Sequence, residues 1–152
     1  MGLNQSLWTQ FTIWVSNLFQ GDLGTSTIYK IPVAGLITSR MSVTIMLAIV
    51  ATVMTVVIAL PLGYLAGAKK DKLPDVIIRL FALIGLSAPS FWIGLMLLIV
   101  FGVALDIFPT SGWGKTWGEH FWSLILPGLT LAFASIAVVI RNVRNNVVDV
   151  RN

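Results

Sequence analysis

At 152 residues with no cysteine, 57% apolar residues and only 11% charged ones, the chain carries less than half of the roughly 25% charge typical of a soluble domain. That excludes an ordinary soluble globular domain, and it equally excludes a disordered chain, which combines low hydrophobicity with high net charge. Without cysteine there is no disulfide scaffold, thiol catalysis or thiolate metal site, and the single histidine, His120, leaves little for imidazole ligation.

Residues 1–40 come first. The first twenty lack the basic start and small-residue cleavage site of a signal peptide. Leu7, Phe11, Trp14 and Leu18 recur at helical spacing among Gln and Asn, which predicts an amphipathic helix lying in an interface or packed against a neighbour. Met1–Ser6 fits the M-G-x-x-x-S acylation pattern, and Asn4-Gln5-Ser6 is a glycosylation sequon. Both patterns are short and need a eukaryotic compartment, so they carry little weight.

Three uncharged runs follow: Met41–Ala68, Leu80–Leu105 and Phe121–Ile140, of 28, 26 and 20 residues. Crossing roughly 30 Å of hydrocarbon takes about 20 apolar residues in a helix, so each run is long enough to span. The predicted fold is an all-α membrane protein with three transmembrane helices at about 41–68, 80–105 and 121–140. The loops orient it, because Lys and Arg stay on the cytoplasmic side. Lys69, Lys70, Lys72 and Arg79 outnumber Asp71 and Asp75, which makes the first loop cytoplasmic. The second loop holds Lys115 against Asp106 and Glu119, with Phe108, Trp113 and Trp117 as interfacial aromatics, and faces outward. The tail 141–152, with Arg141, Arg144 and Arg151 against Asp149, is again cytoplasmic, and strict alternation then leaves 1–40 extracytoplasmic. The basic residues thus answer to membrane topology, with no need for a nucleic-acid partner.

Within the runs, Pro61 and Pro89 remove backbone donors and are expected to kink or interrupt their helices, for which bending of packed helices is the simplest role. Gly63 and Gly67 form a G-x-x-x-G step suited to close helix packing, and Gly85 and Gly94 add small surfaces to the second run. No run contains an Asp, Glu, Lys, Arg or His, so proton relays and voltage sensing find no such groups here. No catalytic site emerges: there is no G-x-x-x-x-G-K-[ST] phosphate loop, no Ser with a His and an acid near it, and no metal cluster or cofactor motif. Asp71, Asp75, Asp106, Glu119 and Asp149 are read as solvated or interfacial charges in loops and tails. Glu119-His120 would need ligands from another chain to hold a metal, and an interfacial anchor is the simpler reading.

Gly21-Asp22-Leu23-Gly24-Thr25-Ser26, Pro32-Val33, Leu36-Ile37, Arg40, Pro61-Leu62-Gly63, Asp75, Ser87-Ala88-Pro89-Ser90-Phe91-Trp92-Ile93-Gly94, Phe108-Pro109 with Gly112, Leu126-Pro127 and the Arg141/Arg144 pair occur in that order. Together the set resembles the permease subunits of dipeptide, oligopeptide and nickel ABC importers, over nearly the whole chain. The resemblance implies the middle part of a six-helix permease, its second to fourth helices. It implies a start after the family's first helix and an end just before the cytoplasmic EAA loop that couples to the ATPase, so that 141–152 would open a truncated coupling region.

The function so implied is that of a multi-pass subunit in the cell (plasma or inner) membrane, forming part of a translocation pathway for peptides or a related small solute, nickel and glutathione included. It is not itself an enzyme. The implied partners are the lipid bilayer, a second permease subunit, two cytoplasmic ATPase subunits and an extracytoplasmic substrate-binding protein. Because broken helices in transporters often meet substrate, Ser87, Ser90 and Trp92 around Pro89 are the candidate pathway residues, with Gly63 and Gly67 in helix packing. Interhelical hydrogen bonds for the serines and interfacial anchoring for the Trp are the plain alternatives. A stand-alone membrane scaffold or assembly protein, packing through the Gly63/Gly67 face, is the competing class. An intramembrane enzyme would need polar catalytic groups inside the runs, which hold none.

Overall fold

The computed structural model describes residues 5–151, the last of these through its backbone only. The acylation pattern at Met1–Ser6, the sequon beginning at Asn4 and the final residue Asn152 therefore reach outside the described residues. Helices account for the regular structure among these residues, apart from one antiparallel bridge between Thr25 and Pro32. The chain divides into two compact units, residues 1–45 and 46–152.

In the first unit, helix α1 spans Leu7–Phe19 and is capped by Ser6, whose side-chain oxygen accepts the Thr9 amide N–H. Leu7, Phe11, Trp14 and Leu18 all lie exposed on it, as do Trp8 and Phe19. The glycine-rich segment after α1 is a closed loop. Gly21 and Gly24 take φ of +80° and +73°, conformations that a β-carbon would disfavour, while Asp22 accepts the Gly24 N–H at 2.8 Å. The Val33 N–H then donates to the Gly24 carbonyl and Ser26 to that of Ile31, which folds the loop onto the start of the next helix.

Helix α2, Val33–Ala68, begins well before the uncharged run and passes through Arg40. A charge limits where hydrocarbon can start; it does not end a helix. Pro61 sits inside α2 without interrupting it. Pro89 does interrupt. Its predecessor Ala88 is extended at φ −80°, ψ 136°, as steric conflict with the proline ring favours, and the chain bends by 111° between α3, Leu73–Ser87, and the segment that follows. That segment is α4, Ser90–Leu97, continued as a π-helical stretch over Leu98–Ala104. Helix α5, Trp117–Arg151, runs through Pro127. Two helices, α2 and α5, are each long and apolar enough to cross a membrane, and the bent pair makes a third crossing if counted as one span.

In the second unit the core is a line of small and branched side chains. Ala59 and Ala66 of α2, Ile78 and Ala82 of α3, and Ala132, Ile136, Ala137 and Ile140 of α5 form one buried cluster. Most large apolar residues lie outside it. Val57, Tyr64, Phe81 and Leu83 are each more than half exposed, a surface that suits lipid or other protein and not water.

Candidate functional site

The second unit is organised along α5 by two seams. On the first, Thr55, Ala59, Gly63, Ala66 and Gly67 are the buried positions of α2, one stripe at helical spacing. A β-carbon built on Gly63 would lie 2.7 Å from Val143 Cβ, one on Gly67 would lie 2.6 Å from Val147 Cβ, and Gly128 of α5 faces Val50 in the same way. Residue numbers rise together along both helices, so α2 and α5 run parallel. Thr55 hides its hydroxyl by donating to the Ala51 carbonyl at 2.8 Å, leaving nothing polar unsatisfied on the stripe.

On the second seam the numbers run in opposite senses. Asp75 meets Arg144, Gly85 meets Ala137 and Phe133, Gly94 meets Thr130, and the Trp122 indole N–H donates to the Ile107 carbonyl at 3.0 Å. From Arg144 back to Trp122 is 22 residues of α5, or about 33 Å of helix rise, against roughly 30 Å of hydrocarbon. The bent pair therefore accompanies α5 over a length comparable to a membrane's hydrocarbon thickness, and its composition fits either a broken span or a re-entrant loop.

Asp75 closes this seam and corrects its reading as a solvated loop charge. It is fully buried, in the first turn of α3 behind Pro74. Arg144 donates to both of its oxygens, Nε to Oδ1 at 2.6 Å and Nη2 to Oδ2 at 2.7 Å, a bidentate fork. The Asp71 backbone N–H donates to Oδ2 at 2.9 Å, and the half-exposed Arg79 brings Nε to 3.3 Å from Oδ1. One carboxylate thus ties the 69–72 turn, α3 and α5 together. Residues Asp75 and Arg144 were visible in the sequence as a loop acid and a tail base, but 69 positions separate them and no local pattern pairs them.

The break itself leaves its polar groups open. Ser87, Pro89 and Ser90 are exposed, neither serine hydroxyl is hydrogen-bonded to a described residue, and Trp92 is 47% exposed. A cavity of ≈ 460 Å³ does not include them. It lies further along the crossing, among Gly94, Leu98, Pro109–Gly112, Ser123, Pro127 and Thr130. Around the second loop, the Phe108 ring lies tilted against Trp122 at 4.7 Å, and His120 stacks on Trp113 at 4.4 Å and meets Trp117 edge-on at 5.6 Å. The His120 ring is held by these aromatics, and its Nδ1 is buried without a partner among the described residues. Thr116 caps α5 by accepting the Glu119 N–H on its hydroxyl, and Glu119 reaches back to accept the Lys115 and Thr116 amide N–H groups. No three His, Asp or Glu side chains among the described residues come together as a metal site.

Compared with known proteins, residues 59–152 match the family model of the binding-protein-dependent transport system inner membrane component. The chain belongs to this family. It is 38% identical over 158 residues to the oligopeptide transport system permease protein AppB of Bacillus subtilis (strain 168), covering 99% of this chain and 50% of that protein. It is 37% identical over 149 residues to the dipeptide transport system permease protein DppB of Lactococcus lactis subsp. cremoris (strain MG1363), with 97% and 48% covered. Against the glutathione transport system permease protein GsiC of Escherichia coli (strain K12) the identity is 39% over 150 residues, with 99% and 47% covered. The chain thus spans about half the length of the curated relatives it matches.

Family membership and the long apolar helices together make this a multi-pass inner-membrane permease component. The matched region begins at Ala59, within the buried stripe of α2, and takes in the first seam from that residue on, the second seam, the break and Asp75. Helix α1 and the glycine loop precede it.

Proposed function

We propose that the chain forms part of the translocation pathway of an ABC importer for peptides or a peptide-like solute such as glutathione. The observation that carries this reading is the match to the transport family, together with relatives named for oligopeptide, dipeptide and glutathione transport. Those names favour peptide-like substrates over nickel and favour transport over a scaffold role. In this reading a second permease subunit supplies the other wall, two cytoplasmic ATPase subunits hydrolyse ATP, and an extracytoplasmic binding protein delivers the substrate. Alternating access then amounts to biasing one of two packings of the crossing helices.

The sidedness follows from the loop charges. Residues 1–40 and 106–120 face outward, the 69–79 loop and the 141–152 tail face the cytoplasm, and the bilayer is crossed at about 41–68, 80–105 and 121–140. Ser87, Ser90 and Trp92 line the pathway at the break, where unpaired hydroxyls and interrupted backbone can meet a peptide's own amides. Gly63 and Gly67 serve packing.

Deleting the gene that encodes this chain, in its own host, is expected to abolish uptake of labelled dipeptide, oligopeptide or glutathione. Unchanged uptake of all three would overturn the proposal. Ser87→Ala, Ser90→Ala and Trp92→Ala introduced in the same host should lower uptake or shift substrate preference at unchanged membrane levels of the chain. If they act only by lowering that level, the break is a packing element and the pathway assignment fails.

A further inference from the structure

Beyond the transport reading, the geometry points to a binding site for the phosphate headgroup of an anionic phospholipid, in a groove between α3 and α5. The groove has a volume of ≈ 280 Å³ and is lined by Arg79, Leu83 and Leu86 of α3 and by Ile140, Arg141 and Arg144 of α5. Its rim is cationic beyond what the protein neutralises. Three guanidiniums share it, and the one carboxylate nearby, Asp75, is already saturated: Oδ1 takes Arg144 and Arg79, and Oδ2 takes Arg144 and the Asp71 N–H. Arg141 is exposed and has no ion pair among the described residues. Lys69, Lys70 and Lys72, in the turn that Asp75 braces, add to the positive charge in sequence next to the groove.

The groove's other walls are apolar. Leu83 and Leu86 are 59% and 46% exposed, and buried Ile140 lies just before Arg141 on α5. A site that joins fork-shaped donors to an exposed apolar wall suits a ligand that is anionic at one end and hydrocarbon at the other. Guanidinium binds phosphate oxygens two at a time, which favours a phosphodiester over a simple point charge. The position also suits a headgroup. Arg141 and Arg144 begin where the uncharged stretch of α5 ends, at the depth where lipid phosphates lie against a crossing helix, and basic pockets between helices there are known to hold acidic lipids.

Native mass spectrometry of the purified chain, with phosphatidylglycerol or phosphatidylcholine added to the detergent, tests this. Phosphatidylglycerol should be retained in preference to phosphatidylcholine. Arg141→Gln should weaken that retention by about fivefold, the loss expected for one basic side chain near an anionic headgroup, and Arg141→Lys, which keeps the charge but loses the fork, should fall between Arg141→Gln and the unaltered chain. Lys115→Gln, in the other loop, should change nothing. Arg144 is left intact because Asp75 depends on it, and circular dichroism checks that each variant keeps its helices. Inorganic phosphate should not displace the lipid. Equal retention of the two lipids, indifference to Arg141→Gln in a folded variant, or displacement by inorganic phosphate would each overturn the lipid site, the last in favour of a site for free anions.

Discussion

The two seams on α5 solve the same problem by different means. Along α2 the contact is made of glycine, alanine and valine, the helices run parallel, and the only buried hydroxyl bonds within its own helix. Along α3 and α4 the helices run antiparallel, the approach at Gly85 is looser, and the end of the seam is closed by a buried ion pair. In hydrocarbon no hydrophobic force drives helices together, so association rests on close van der Waals fit and on polar groups that have nowhere else to go. The α2 seam uses the first almost alone. The α3 seam is interrupted by the Pro89 break, so less continuous surface is available to it, and the Asp75–Arg144 fork supplies a fixed point. A difference follows: the first seam should be sensitive to volume and the second to charge.

The most drastic test of this arrangement is topological, because the outcome is all or nothing. A parallel seam and an antiparallel seam on one helix are the pattern that three crossings would produce. Single cysteines at Lys70 and Lys115, in a chain that has none of its own, should be labelled by an impermeant thiol reagent from opposite sides of the membrane, position 115 from outside. Labelling of both from one side would turn the broken crossing into a re-entrant loop and dissolve the comparison.

Next in size is the ion pair. Asp75→Ala strands Arg144 against a buried site and should destabilise the fold by about 3–5 kcal/mol, measured by denaturant unfolding of the purified chain. Pairing Asp75→Leu with Arg144→Met should recover most of that loss, since what is costly is the unpaired charge and not the absence of the pair. Should Asp75→Ala prove neutral, the second seam is held by packing alone and the contrast between the seams disappears.

The volume effects are smaller and ranked. Gly67→Ala would press a methyl group to 2.9 Å from the Arg144 carbonyl as well as onto Val147, and backbone yields poorly. A loss of about 1–3 kcal/mol is expected, with Gly63→Ala close behind at 3.1 Å from the Ile140 carbonyl. Val147→Ala should relieve part of the Gly67→Ala loss. The mildest is Gly85→Ala on the second seam, where the nearest atoms are the Ala137 methyl at 3.1 Å and the Phe133 ring edge at 3.4 Å. It should cost about 1 kcal/mol at most. If Gly85→Ala is worse than Gly67→Ala, the assignment of volume sensitivity to the first seam is reversed.

Much of this architecture is legible from residue order alone, for a reason that applies to any chain in a bilayer. Charges are expelled from hydrocarbon, so the gaps between Arg40, Lys69, Arg79, Asp106, His120 and Arg141 mark where membrane can be, and the apolar runs between them fall within α2, the broken α3–α4 crossing and α5. Helical spacing marked the apolar residues of α1, and the small residues Gly63 and Gly67 marked positions where helices approach. The start of α2 at Val33 and the long reach of α5 were not legible, because backbone hydrogen bonding continues through charged residues once the chain leaves the hydrocarbon. Nor was the contrast between Pro61, carried within a continuous helix, and Pro89, which ends one, since the local cost of a proline is similar and only the surroundings decide whether it is absorbed. Partnership across distance, by contrast, is set by how the helices pack. Asp75 looked like any solvated acid until α5 brought Arg144 to it, and Arg141 looked like its twin until that carboxylate proved to be fully occupied. A sequence states which groups must be satisfied; which ones satisfy each other depends on the register of helices packed far apart in the chain, and that register is set by the summed fit of many side chains and by no single residue.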